Sequence, residues 1–155
     1  MYLKYLILSI FLLVSVFVWA QPANDDCTSA IELPSVTDYC SNPGEFSTIG
    51  ATVSGTNPMC FPNGVDVLDV WFSFTAIANT VNVNVIGDVP NSTGGTILSP
   101  QLAVYTGDCI NGLTEFGCFS DAFNNNFSET FLPGLTPGQT YFIQVSARAA
   151  GSGTF

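Results

Sequence analysis

The stretch Asp69-Val70-Trp71-Phe72-Ser73-Phe74-Thr75 decides the fold of this sequence. In an extended chain, successive side chains point to opposite faces. Val70, Phe72 and Phe74 therefore share one face, and Trp71, Ser73 and Thr75 share the other. Alternation over a short run of aromatic and β-branched residues is typical of a β-strand.

Similar runs recur along the rest of the chain. Thr80–Ile86 alternates three valines with two asparagines, which predicts a strand with one wet face. Further strands are predicted over residues 102–105, 141–145, 30–33, 48–54, 113–119 and 127–132. Turn-forming residues separate these runs, and helical periodicity is nearly absent after residue 20. About eight short strands predict an all-β fold, an antiparallel, jelly-roll-like β-sandwich.

The first twenty residues predict a secretory signal peptide. Lys4 precedes an apolar run from Leu6 to Val18, and Val18-Trp19-Ala20 provides a cleavage site. The run is shorter than the 20 or so residues that span a bilayer, and polar residues follow it at once. We expect cleavage after Ala20, a secreted or cell-surface location, and no membrane anchor. Residues 21–155 are then a single domain.

The charge of the chain excludes some partners. Removal of residues 1–20 leaves Arg148 as the only cation against 12 acidic residues, a net charge of −11. Such a chain cannot neutralise a phosphate backbone, so we expect no nucleic-acid partner. An anionic membrane surface is disfavoured for the same reason.

The residue types also restrict the chemistry. The sequence has no histidine, so the Ser-His-Asp and Cys-His catalytic arrangements and the common zinc sites are absent. Paired carboxylates are the remaining catalytic option, but Asp66 and Asp69 precede a strand, where aspartate commonly bonds to local backbone. Tyr141 follows a Pro-Gly turn, and we predict that it is a corner tyrosine, a structural residue whose hydroxyl forms a hydrogen bond with upstream backbone. We therefore predict that the chain is not an enzyme.

Two binding chemistries remain open. Calcium takes hard oxygen ligands, which Asn24, Asp25 and Asp26 offer before the first strand and Asp121 offers in a later loop. Solvated loop residues are the alternative interpretation of both groups. Trp71 is a candidate for stacking on a sugar ring, although its hydrophobic neighbours favour burial.

The five cysteines predict disulfide bonds in an exported chain. Cys109 and Cys118 lie on either side of an Asn-Gly step, which favours a tight turn. We predict a bridge between them. Cys27, Cys40 and Cys60 then supply one further bridge and one free thiol, with the three pairings left open.

Four segments of the chain together resemble a known family. They begin at Pro22, Asp69, Leu102 and Leu135 and read PANDDCTSAI, DVWFSFTA, LAVYTGDC and LTPGQTYFIQV. They resemble β-sandwich modules of secreted multidomain Bacteroidetes proteins, which are similar to bacterial pre-peptidase C-terminal domains. The resemblance implies an accessory module beside proteases or adhesins, often exported by the type IX system. Some pre-peptidase modules bind calcium through acidic residues at their start, and Asn24–Asp26 occupies that position here, so the resemblance also implies calcium binding at this segment.

Two departures from that family accompany the resemblance. Relatives usually continue past Gly153-Thr154-Phe155, which leads us to expect an incomplete last strand and a longer open reading frame. Relatives often carry a cysteine near Gly87 that this chain lacks.

The predicted function is a non-catalytic accessory or adhesive interaction module. The alternative is a calcium-dependent carbohydrate-binding module. The predicted partners are other domains of the same polypeptide, or an extracellular polysaccharide or protein.

Overall fold

A computed structural model describes residues 21–35, 37–61, 67–92, 94–121, 125–148 and 151–155. These residues form seven strands and one short 3-10 turn, Cys27–Ser29. The strands are β1 (Ile31–Glu32), β2 (Asp69–Thr75), β3 (Thr80–Ile86), β4 (Pro100–Asp108), β5 (Gly112–Ser120), β6 (Phe127–Pro133) and β7 (Thr140–Ala147). The predicted all-β sandwich is confirmed. The predicted signal peptide lies outside the described residues.

The strands form two sheets that pack face to face. The large sheet has the order β1-β2-β7-β4-β5, and the small sheet pairs β3 with β6. Every pairing is antiparallel except that of β1 with β2, which is parallel over two residues. The central strands β2, β7 and β4 are each flanked by strands on both sides, which places them at the centre of the fold.

The large sheet is buried on both faces because its alternating side chains enter two different hydrophobic clusters. Val70 and Phe72 of β2 pack between the two sheets, against Val85 and Leu132 of the small sheet. Trp71 points the other way into a second cluster, beneath the segments that hold Phe61 and Val67. Burial on both faces explains why β2 reads as a nearly continuous hydrophobic run.

The predicted strand at 48–54 is wrong. Ser47 forms only an isolated bridge with Thr154, and the following residues are irregular. Their backbone bonds instead hold other parts of the fold, since Thr48 donates to the Gly153 carbonyl and the Thr52 carbonyl accepts from Asp69. The described residues therefore contain seven strands, against the eight or so predicted.

The predicted corner tyrosine has the expected bond. The hydroxyl of Tyr141 accepts a hydrogen bond from the Thr136 backbone N–H at 2.9 Å. Gly138 makes the turn possible, because its φ of +85° lies in the left-handed region that favours glycine.

The predicted Cys109–Cys118 disulfide is wrong, and the structure pairs Cys27 with Cys109 and Cys60 with Cys118. The β4–β5 hairpin turns at Cys109 itself, since Asp108 is opposite Gly112 in the register. Cys118 lies six positions further along β5, which is about 20 Å away at the rise of an antiparallel strand. Cys40 is a free, exposed thiol.

Candidate functional site

The predicted ligands at the first acidic segment are engaged in holding that segment to the sheet. Asn24 donates from its side-chain amide to the Trp71 carbonyl at 2.8 Å. Both carboxylate oxygens of Asp25 accept hydrogen bonds from Thr52, one from its N–H and one from its hydroxyl, each at 2.5 Å. Asp26 is exposed. These contacts give Asn24 and Asp25 a structural role.

The fourth predicted ligand, Asp121, lies at the opposite edge of the large sheet. It follows β5, and its carboxylate accepts a hydrogen bond from the Asn126 N–H at 2.9 Å. Asp25 lies by contrast beside β2, three strand spacings or about 14 Å away. The four predicted ligands therefore do not form one site, and the described residues contain no metal-binding group of three or more histidine, cysteine, aspartate or glutamate side chains.

Trp71 is buried, as its hydrophobic neighbours favoured, and its candidacy for stacking on a sugar ring is therefore wrong. Its side chain is fully buried and packs against Tyr105, with ring centroids 5.6 Å apart. Its partners Ala103 and Tyr105 on β4 are distant in sequence, and only the hydrophobic neighbours of Trp71 indicated burial.

A buried polar cluster surrounds Trp71 and was missed from the sequence. The Asp69 carboxylate accepts hydrogen bonds from the Ser54 N–H, the Ser54 hydroxyl and the Gln144 amide. The same Gln144 accepts from the Tyr105 hydroxyl at 2.6 Å. Asp69 and Gln144 are diagonal neighbours on β2 and β7, which the sequence alone could not show. Asp66, its suggested catalytic partner, lies outside the described residues.

Burial controls the protonation of this cluster. Desolvation raises the pKa of the Asp69 carboxyl, and the hydrogen bonds from Ser54 and Gln144 only partly oppose it. Desolvation also raises the pKa of the Tyr105 phenol, with Glu115 and Asp69 adding to the effect. The Trp71 Nε1–H has no hydrogen bond of normal geometry among the described residues, but it too acts to lower the pKa of Asp69. Through these hydrogen bonds the cluster joins the loop that carries Ser54 to strands β2 and β7 of the large sheet.

A cleft lies between the two sheets. Its volume is about 390 Å³, which lies within the range of small-ligand sites. Phe72 and Phe74 of β2 and Ile143 and Val145 of β7 form its floor, and β3 forms one wall. Part of the rim comes from the segment before β2 and includes Leu33, Tyr39, Cys40 and Phe46. We call this cavity the inter-sheet cleft.

The lining of the inter-sheet cleft contains no charged side chain, although the whole chain carries a net charge of −10. Its polar groups are amides, hydroxyls, the Cys40 thiol and backbone. A lining of this composition favours a neutral, apolar occupant, because an ion would lose its hydration without gaining an opposite charge.

The outer face of the small sheet carries a second feature that the sequence analysis did not single out. Phe131 is 65% exposed and lies opposite Asn82 in the β3–β6 register. The Asn82 amide donates to Glu129 at 2.5 Å, and Asn84 lies opposite Glu129 on the same face. An exposed aromatic ring thus lies beside amide and carboxylate groups.

The comparison with known families agrees with this architecture. Residues 23–155 match a family described as galactose-binding-domain-like and associated with the type IX secretion system. The chain belongs to this family. Membership supports a Bacteroidetes accessory module, whereas the expected similarity to pre-peptidase C-terminal domains is not supported. No curated protein and no solved structure matches the chain.

Family membership and the two disulfides are consistent with an extracellular or cell-surface location. Within the part of the chain that the structure describes, no helix has the length and apolar character needed to span a bilayer. The galactose-binding-domain-like fold is a binding fold.

Proposed function

We propose that this chain is a non-catalytic accessory module of a secreted or cell-surface protein and that it binds its partner through the inter-sheet cleft. The observation that carries the proposal is an uncharged cavity of about 390 Å³, lined by Phe72, Phe74, Ile143 and Val145 at the centre of a binding fold. Large apolar cavities with a few polar groups are the usual sites of ligand binding.

The chemistry of the cleft favours binding over catalysis. Its lining has no carboxylate or imidazole to act as a general acid or base. Its nucleophilic side chains are the Cys40 thiol and several hydroxyls, and none of the described lining side chains is a base that could activate them.

The test uses a neutral fluorescent apolar probe, Nile red, and two variants that each add one tryptophan. Val83→Trp fills the cleft from β3, and Leu98→Trp changes an exposed side chain outside it. We expect the wild-type protein and Leu98→Trp to bind the probe and Val83→Trp to lose binding, with near-ultraviolet circular dichroism confirming that both variants fold. Equal binding by all three proteins would contradict the proposal.

Carbohydrate binding is a second candidate function, and the surface around Phe131 favours it. An exposed aromatic ring offers an apolar platform, and Asn82, Asn84 and Glu129 beside it offer hydrogen-bonding groups. Affinity electrophoresis in gels that contain soluble galactans tests this candidate. Phe131→Ala should abolish retardation, whereas Leu98→Ala should preserve it. Retardation that survives Phe131→Ala, or that never occurs, counts against it.

The proposed location outside the cell and the proposed calcium dependence both come from the sequence. Calcium binding at Asn24–Asp26 would use the Asp25 carboxylate, whose two oxygens already accept hydrogen bonds from Thr52. The calcium prediction is tested by the Asp25 substitution described in the Discussion.

A further inference from the structure

Strand β3 has one edge that the other described residues leave mostly open. In the small sheet β3 has a neighbour on one side only, which is β6. On the other side the Gly95 N–H donates to the Ile86 carbonyl at 3.2 Å. This contact lies at the C-terminal end of β3, and Thr80, Asn82 and Asn84 extend away from it.

The hydrogen bonds at the end of β3 fix which backbone groups face the open side. The Ile86 carbonyl points to the open side, where Gly95 lies, and the Gly87 N–H points to the β6 side, where it donates to Asn126. Backbone groups alternate sides along a strand. The N–H and carbonyl groups of Asn82 and Asn84 therefore point to the open side, while those of Val81 and Val83 point to β6.

This open edge borders the inter-sheet cleft. Asn82 and Asn84 belong to the cleft lining, and so do the inward side chains of Val81 and Val83. The site thus combines a row of backbone donors and acceptors with an apolar floor. An extended peptide satisfies both, because its backbone pairs with an edge while every second side chain enters the core.

We propose that the inter-sheet cleft binds an extended peptide segment of a partner protein, which adds as a strand to β3 and inserts apolar side chains at alternate positions. This inference rests on the proposed function and names its partner. The open run from Thr80 to Asn84 is about 17 Å long at the antiparallel rise, which is the length of a typical short strand.

The charge of the site further defines the segment. Because the lining is uncharged, the inserted side chains are apolar. Outside the cleft the protein is strongly acidic, with a net charge of −10, so flanking basic residues on the peptide accelerate its association. The partner segment is therefore an alternating apolar strand with cationic ends.

The experiment uses a short peptide that alternates valine and threonine and has a lysine at each end. Amide hydrogen exchange is measured by NMR with and without the peptide. At a peptide concentration ten times the Kd, exchange at Asn82 and Asn84 should slow by about tenfold, since only about one-tenth of the protein remains free. Exchange at Val81 and Val83, which already bond to β6, should change little.

A matched pair of variants separates strand addition from simple filling of the cleft. Asn84→Pro removes an N–H that faces the open side and leaves the β6 pairing in place, whereas Asn84→Thr keeps that N–H. We expect Asn84→Pro to lose the peptide and to keep Nile red, and Asn84→Thr to keep both. Peptide binding that survives Asn84→Pro would overturn strand addition.

Two N-methylated peptides provide an independent check. An added strand bonds to β3 through every second residue, so methylation of one alternate set of amides should abolish binding and methylation of the other set should not. Equal effects of the two sets would overturn the proposal. So would strong protection of Asn82 and Asn84 without peptide, which would mean that the edge is already covered. If the wild-type protein binds Nile red but not the peptide, the inference alone is refuted, whereas a wild-type protein that binds neither refutes the proposed function as well.

Discussion

Replacement of Cys27 and Cys109 by serine should strongly destabilise the protein. The Cys27–Cys109 bridge joins residues 82 positions apart. By chain-entropy reasoning a closed loop of that length contributes about 4.5 kcal/mol to the free energy of unfolding, against about 2.7 kcal/mol for a bridge between Cys109 and Cys118. For a domain of this size the larger figure corresponds to a fall in Tm of about 15–20 °C.

The assay combines differential scanning calorimetry with peptide mapping under non-reducing conditions. Mapping of the wild-type protein should yield a peptide pair that contains Cys27 and Cys109, and another that contains Cys60 and Cys118. Cys40→Ser is the control, and it should leave the Tm unchanged because Cys40 is exposed and unpaired. A Cys109–Cys118 peptide together with a fall in Tm of only a few degrees would refute the pairing and the argument from loop length.

Three further predictions follow from the polar contacts. Because burial raises the pKa of Asp69, the folded protein binds a proton at this carboxyl more tightly than the unfolded chain does, so stability should fall as pH rises from about 4 through the raised pKa. Asp69→Asn should flatten this part of a plot of Tm against pH. An unchanged slope would contradict the assignment. Tyr141→Phe should cost about 1 kcal/mol in urea denaturation, since it removes the acceptor of the Thr136 N–H, and a cost indistinguishable from zero would mean that water replaces the hydroxyl. Asp25→Ala should lower the Tm equally in calcium and in EDTA because Thr52 holds its carboxylate, whereas a larger loss in calcium would support a metal site.

The strands could be predicted because their signal is local. The alternation over Asp69–Thr75 and Thr80–Ile86 gave the bounds of β2 and β3 as the structure has them. The segment 48–54 looked similar but is irregular, because its backbone groups bond to residues far along the chain, such as Gly153 and Asp69. Local patterning is unable to reveal such competition between distant partners.

The site could be predicted less well, because it depends on which distant segments meet. The sequence could show that Trp71 and Asp69 are unusual, but not that Tyr105 and Gln144 lie beside them. Phe131 lay within a predicted strand, and its exposure follows only from the β3–β6 register. The inter-sheet cleft arises from the packing of two sheets and has no counterpart in any single stretch of residues.

The Cys27–Cys109 disulfide also determines how the protein would respond to tension applied between its two ends. The shortest covalent path through the chain runs across the bridge, so the 82 residue steps between the two cysteines carry no load. At about 3.4 Å per residue, roughly 280 Å of contour length is withheld from extension. Strands β1, β2, β3 and β4 all lie within that shielded stretch. A pulling force would therefore peel away β5, β6 and β7 while the segment that carries the β3 edge stays slack.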